Sequence, residues 1–304
     1  MPACYSLPQF PSMCGETWSS DVKALLEIAE RMDYVAFYDV FKGEAHMSAE
    51  ARHMCWPVAS FDIEADAIHE NCFLKQGQDR FITDVLRMRP LSLAMLGPPC
   101  KYSIWMTRSV HGKSKQNPLG NGSQFAEEGN KIAVFCGNGV RLIAWRRCLY
   151  VLEQPLSSVL TEHPSLKAAL EETGGVRLFM RQGWTGAFSD KPTALWTNAP
   201  YASRLRKLFE QKLFTSNVCQ SLATKSKWVT GNTFMTKSAS YPIEFCYLLC
   251  ATHEKWTTNL KKEFFVILKL AIWPLLRSKT HVFITNPYEP WGEIALMLYT
   301  MLMV

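Results

Sequence analysis

The feature that most narrows the possible folds of this chain is a repeated punctuation. Short apolar runs, each closed by a glycine, a proline or an acidic residue, recur with room for helices between them. Residues 34–41 (YVAFYDVF), 57–63 (PVASFDI), 91–96 (LSLAML) and 148–152 (CLYVL) are such runs, and 176–180 (VRLFM) is a further candidate. Runs of this length between turn signals read as buried, mainly parallel strands. Residues 21–31 (DVKALLEIAER) have helical periodicity with Asp21 at the start, and 47–54 and 126–145 read as helices. The expectation is an α/β fold, a mostly parallel sheet flanked by helices. In such sheets ligands bind beyond the carboxyl ends of the strands.

Composition sets the scale of this fold. With 304 residues, 48% of them hydrophobic and 20% charged, the chain can bury one large domain and carry a small appendage. We expect an N-terminal extension with a helix over 1–33 and the main domain over 34–250. A short basic insertion is expected at 201–230, and an apolar C-terminal extension at 256–304. The net charge of +6 suits an anionic partner without requiring one. Ten cysteines are scattered with no Cys-x-x-Cys and no zinc spacing, so reduced thiols and no metal are expected. Pro8, Pro11 and Gly15 break any signal-peptide pattern, which predicts a nuclear or cytoplasmic protein. The apolar stretches 264–276 and 294–304 are shorter than a bilayer span, so no membrane association is expected, and the protein is expected to be a monomer.

Two segments carry the chemistry. Gly97-Pro98-Pro99-Cys100 sets a thiol at the end of one apolar run, and Leu152-Glu153-Gln154-Pro155 sets a carboxyl at the end of another. Together they supply a nucleophile and an acid for adding to, and protonating, an electron-poor ring. Lys101 and Arg108 follow the cysteine and favour its thiolate, the nucleophilic form. Glu153 has a plainer alternative, capping the next helix through Ser157 or Ser158. A third segment, Lys42-Gly43-Glu44-Ala45-His46 after the first run, has the strand–turn–helix pattern of a nucleotide-binding opening. Asp62, or Glu64 in its place, closes the next run, where a carboxylate can accept two ribose hydroxyls. Asp79 and Asp84 are both candidates for an adenine contact, and nothing separates them.

Pro-Pro-Cys at one strand end and Glu-x-Pro at the next resemble the core of the cytosine-5 DNA methyltransferases and their viral and phage-like relatives. The stretch Lys191-Pro192-Thr193-Ala194-Leu195-Trp196-Thr197-Asn198 resembles a Lys-x-Thr-x-Leu-Trp-x-Asn segment of the phage-like members. The resemblance spans roughly residues 34–247 and implies a Rossmann-like class I methyltransferase fold that uses S-adenosylmethionine. It implies Cys100 and Glu153 as catalytic residues. Asp39, Phe41, Gly43, Asp62, Ile63 and Pro98 are then expected around the cofactor, with Ala45 standing where members carry a second glycine. Lys101, Arg108, Lys113 and Arg181 are expected to touch nucleic acid, Lys113 from a loop (109–122) that closes over an extruded base. Arg177 is a further candidate there. The implied reaction is methylation of carbon 5 of cytosine, in DNA ahead of RNA. Two alternatives stand beside it: a methyltransferase for RNA or another substrate, and an inactive fold serving as a nucleic-acid or protein-binding module. A basic, aromatic-bearing stretch from 201 to 228 suits either phosphate contact or an ordinary amphipathic helix, and Gly231-Asn232-Thr233 matches a family tripeptide.

Overall fold

The structure is a computed structural model that describes residues 22–187, 190–211 and 240–277, with side-chain surroundings for 24–187, 190–211 and 240–263. Residues 1–20, the basic positions from Lys212 to Trp228, the Gly231-Asn232-Thr233 tripeptide and residues 294–304 lie outside the described residues.

Helix α1 (Val22–Ala29) precedes strand β1 (Val35–Val40), whose aromatic and β-branched residues are buried almost throughout. That continuous burial, in place of an in–out alternation, marks a strand covered on both faces. Helix α2 (His46–His53), strand β2 (Val58–Phe61), helix α3 (Lys75–Leu86) and strand β3 (Met88–Leu96) follow. The single-turn helix α4 (Arg108–His111) leads to the long α5 (Gln124–Trp145), where Ser123 Oγ accepts the Ala126 N–H at 3.2 Å. That bond satisfies one of the free donors of the first helical turn. Strand β4 (Leu149–Pro155), helix α6 (Pro164–Glu172), and strands β5 (Val176–Arg181) and β6 (Pro192–Thr197) complete the sheet. Helices α7 (Ala202–Glu210) and α8 (Ile243–Arg277) come last.

The six strands are ordered β2-β1-β3-β4-β6-β5. The first four are mutually parallel, and β6 runs antiparallel to both of its neighbours. The fold is therefore α/β with a mostly parallel sheet. The chain builds outward from β1 to β2, then returns past β1 to lay down β3 and β4. The order thus reverses between β1 and β3, and a crevice opens beyond their carboxyl ends at such a switch point. Residues 41–46 and 97–100 stand there.

Strand β6 is not expected from the sequence, and two of the expected strands have different bounds. β3 starts at Met88, ahead of Leu91, because a register shift against β1 accommodates the irregular Arg89–Leu91 segment. Leu91 takes φ 70°, and its N–H donates to the Arg147 carbonyl. β4 does not release the chain at Leu152. Pairing with β6 carries it on to Pro155, so Glu153 lies within a strand rather than in the loop beyond one.

The core is aromatic. Phe61, Phe81 and Phe135 pack with centroid separations of 4.7–5.9 Å, and Tyr38 joins them through Phe81 at 5.6 Å. Contacts of this kind contribute roughly 0.5–1.5 kcal/mol each beyond the area they bury. They seat α3 and α5 on the β1–β2–β3 part of the sheet. The chain divides into two compact units, Met1–Thr252 and His253–Val304. Among the described residues no helix is long and apolar enough to cross a membrane.

Candidate active site

The turn after β1 is held in an uncommon conformation. Phe41 (φ 61°), Gly43 (φ 50°) and Ala45 (φ 59°) all lie in the left-handed region. Only glycine adopts it without a steric cost, so Phe41 and Ala45 hold strain of the kind that gathers at functional sites. Ala45 thus holds a left-handed conformation that glycine adopts more easily, at the position where a second glycine is expected. Two carboxylates maintain the turn. Asp62 Oδ2 accepts the Gly43 N–H at 3.0 Å and Oδ1 accepts the Glu64 N–H at 3.0 Å. Asp39 Oδ2 accepts both the N–H and the hydroxyl of Ser48, at 3.0 and 2.6 Å, and so ties β1 to the first turn of α2. Burial drives the Asp39 carboxyl up from 3.8 to about 6, against the opposing effect of the Ser48 bonds.

Five of the six expected cofactor residues gather around the turn after β1, on the β1–β2 side of the crevice. Gly43 and Asp62 touch, Phe41 packs edge-on against Phe61 and Phe135, Ile63 is exposed, and Asp39 lies beneath the turn. Pro98, the sixth, is buried at the end of β3, and its carbonyl accepts the Gln154 Nε2–H at 2.7 Å. Of the adenine candidates, Asp84 is fully buried between Arg80 and Arg87, and Asp79 pairs with Lys75. All three ion pairs belong to α3 and its cap.

Cys100 opens a 3-10 turn (Cys100–Tyr102) directly after the prolines and is half-buried. Burial raises its thiol pKa, Lys191 lowers it and Glu153 raises it. The charge that lowers it is Lys191, just ahead of β6, and the expected Lys101 and Arg108 are not among the causes. Lys101 is exposed over the Tyr102 ring, and Arg108 is exposed in a neighbouring cleft.

Glu153 is buried, with Oε1 3.4 Å from the Lys191 ammonium and Oε2 receiving the Tyr241 hydroxyl at 3.5 Å. It does not cap the next helix. The Ser158 hydroxyl, expected as one of its partners, donates instead to Gln154 Oε1 at 2.8 Å. Tyr241 stands in front of α8 with its backbone carbonyl 2.7 Å from His46 Nδ1. A Cβ at Gly97 would come within 2.3 Å of the Tyr241 hydroxyl oxygen, so a side chain at Gly97 would push the tyrosine off Glu153.

The loops after β3 and β4 line a cleft of about 280 Å³ with Arg108, Lys113, Lys115, Trp105, Ser103 and Ser157, among others; Cys100 is not part of its lining. The loops are joined where the Val159 N–H donates to the Ser103 carbonyl, and Ser103 Oγ in the wall has no hydrogen-bond partner. Trp105 is widely exposed. The predicted nucleic-acid residues divide here. Arg108 faces the cleft, whereas Lys113 is buried with its ammonium on Asn130 Oδ1 at 2.7 Å, and Arg181 is paired with Asp190 at 2.6 Å. His111 is buried and braces the loop. Its Nδ1 accepts the Lys113 N–H, which leaves Nε2 to donate to the Ile104 carbonyl. Arg177 lies over the Trp196 ring.

Three residues of this site were not singled out as site residues by sequence reasoning: Gln154, Lys191 and Tyr241. Lys191 heads the Lys-x-Thr-x-Leu-Trp-x-Asn stretch, which is the only signal it carries. The remaining polar residues of that stretch serve the sheet, since Thr197 Oγ1 donates to the Tyr150 carbonyl and Asn198 bonds both Tyr150 and Cys148. No protein-family model matches the chain, and no curated protein is significantly similar to it in sequence.

Proposed function

We propose that this protein is an S-adenosylmethionine-dependent methyltransferase acting on carbon 5 of cytosine, in DNA ahead of RNA, through a cysteine adduct in a Rossmann-like class I domain. The observation that carries the reading is that β3 and β4 end side by side, Leu96 opposite Leu152, with Gln154 bonded to the Pro98 carbonyl, so that the segments bearing Cys100 and Glu153 adjoin next to the β1–β3 crevice. Cys100 adds to ring carbon 6, Glu153 delivers a proton to ring nitrogen 3, and carbon 5 becomes the electron-rich, enamine-like centre that takes up the methyl; loss of the carbon 5 proton to water then expels the Cys100 sulfur from carbon 6 and restores the ring. The base has to leave its stack to reach a half-buried sulfur, at a cost of about a few kcal/mol.

Two features of the crevice support the cofactor. No atom lies within 4 Å of where a Gly43 side chain would begin, and the exposed Ile63 offers an apolar surface nearby. Each Asp62 oxygen accepts one backbone N–H and keeps a further lone pair for a ribose hydroxyl. S-adenosylmethionine bound there supplies an electrophilic methyl group. The cleft with Arg108, Lys115 and the Trp105 ring supports a nucleic-acid substrate, since cations suit phosphate and an exposed indole suits an unpaired base.

Calorimetric titration of the full chain with S-adenosylmethionine, followed by methyl transfer into DNA and RNA, tests the reading. Expected are micromolar binding, at least tenfold weaker in Asp62→Ala, and transfer that Cys100→Ser abolishes. Transfer into RNA alone selects the RNA enzyme. A second reading, an inactive fold kept as a nucleic-acid-binding module, draws on the Cβ of Ala45 in the cofactor turn. Nucleic-acid binding without cofactor binding selects it.

A further inference from the structure

The loop after β3 holds an indole out in solvent on a backbone that is fixed on both sides of it. The Ser103 N–H donates to the Cys100 carbonyl at 2.9 Å and the Thr107 N–H to the Ile104 carbonyl at 3.2 Å, while the Val159 N–H reaches the Ser103 carbonyl at 2.9 Å from the loop after β4. Trp105, between these anchors, is 69% exposed, the most exposed large apolar side chain among the described residues. The neighbouring cations are set as firmly. Arg108 opens α4, which ends at Gly112 in the left-handed region (φ 64°), and the chain folds back so that the Asn121 N–H donates to the His111 carbonyl at 3.0 Å. Lys113 is buried in the cleft wall, and Lys115 is exposed in its lining. The lining contains these three cations and no carboxylate. Neither Arg108 nor Lys115 forms an ion pair among the described residues.

A site of this make-up discriminates between paired and unpaired strands. Cations alone favour a duplex, which carries the denser phosphate charge. An indole held outward can stack only on a base whose face is free, and a duplex offers one only after unstacking. A cleft of about 280 Å³ also has the size of a pocket for a small group rather than of a channel for a double helix. We propose that this cleft binds one unpaired nucleotide, its phosphate held by Arg108 and Lys115 and its base stacked on Trp105, and that the protein binds single-stranded nucleic acid in preference to duplex. In the methyltransferase reading, on which this last step rests, the substrate is a single strand and the nucleotide in the cleft flanks the target base, since Cys100 lies on the same loop as Trp105. The cost of bringing the target base out of its stack is smallest in such a strand.

The test is fluorescence anisotropy of the full chain with a labelled oligothymidylate of about 12 nucleotides, within the usual site size of single-strand binders, and with a duplex of the same length. The single strand is expected to bind at least about tenfold more tightly than the duplex. Trp105→Ala should weaken single-strand binding about tenfold, the effect of losing one stacked base, and leave duplex binding within about twofold of the wild type. Trp105→Phe, which keeps a ring, should stay within about threefold of the wild type on the single strand. Arg108→Ala should weaken both ligands. The indole is exposed, so the Trp105 variants should keep the melting temperature of the wild type, which thermal denaturation checks. Duplex binding as tight as single-strand binding, no binding of either, or single-strand binding unmoved by Trp105→Ala overturns the proposal. A single-strand preference that depends on Trp105, with no methyl transfer to any nucleic acid, leaves the nucleotide site in place and removes the methyltransferase reading. Methyl transfer by a protein without that preference does the reverse.

Discussion

Asp39 shows what a single residue costs and supplies. Its carboxylate replaces the missing side-chain cap of α2, since Ala45 at the cap position has none to offer. Burial makes ionisation of that carboxyl expensive. A carboxyl with its folded pKa raised from 3.8 to about 6 costs nothing below pH about 4, progressively more between the two values, and the full amount above pH about 6. At 1.36 kcal/mol per unit the full cost is about 3 kcal/mol. Asp39→Asn keeps an acceptor for Ser48 without the charge. Its stability relative to the wild type is expected to rise by up to about 3 kcal/mol between pH 4 and 7 in denaturant titrations. A difference that stays flat over that range would mean Asp39 is neutralised some other way. The carboxylate is legible in the sequence as an acid near a strand end, but its burial is not, because burial depends on α2 folding back over it.

At the scale of elements, the loop that carries Cys100 is set by β4 as much as by its own prolines. Gln154 is 2% exposed and bridges the Pro98 carbonyl to the Ser158 hydroxyl, so it clamps the loop after β3 to the loop after β4. Gln154→Glu preserves the shape but faces the Pro98 carbonyl with an acceptor, and a buried carbonyl left without its donor costs about 1–3 kcal/mol. Denaturation should show a loss of that size near neutral pH, and hydrogen exchange at Lys101 and Tyr102 should quicken. Unchanged exchange there would assign the rigidity to Pro98 and Pro99 alone. The apolar runs and proline boundaries made the strands and this loop readable. Gln154, one residue after Glu153, was not readable as a clamp, since its partner is 56 residues away and is reached only once β3 and β4 pair.

For the whole molecule, the charge of +6 becomes informative only after the fold has sorted it. Lys113 and Arg181 are taken up by Asn130 and Asp190, while Arg108 and Lys115 stay exposed at the cleft. Binding to a nucleic acid should therefore lose about 0.7–0.9 from its salt slope in each of Arg108→Ala and Lys115→Ala, the value for one phosphate contact. Lys113→Met should leave the slope alone and lower the melting temperature, because its ammonium anchors the loop to α5. Fluorescence titrations at several salt concentrations separate these outcomes, and a full slope change in Lys113→Met would return that residue to the phosphate-contacting set.

The sequence by itself determined five of the six strands, the helices α1, α2 and α5, and the cysteine and glutamate as residues near the ends of β3 and β4. These follow from local signals: apolar runs, helical periodicity, and the backbone limits of glycine and proline. Tertiary structure alone decided which charges meet. The antiparallel return of β6 extends β4 through Glu153 and brings Lys191 to it across 38 residues, and the approach to α8 brings Tyr241 to the same carboxylate across 88. Register and strand order are global properties of the packed sheet, so no window of the chain contains them, and the electrostatics of the thiol follows from them.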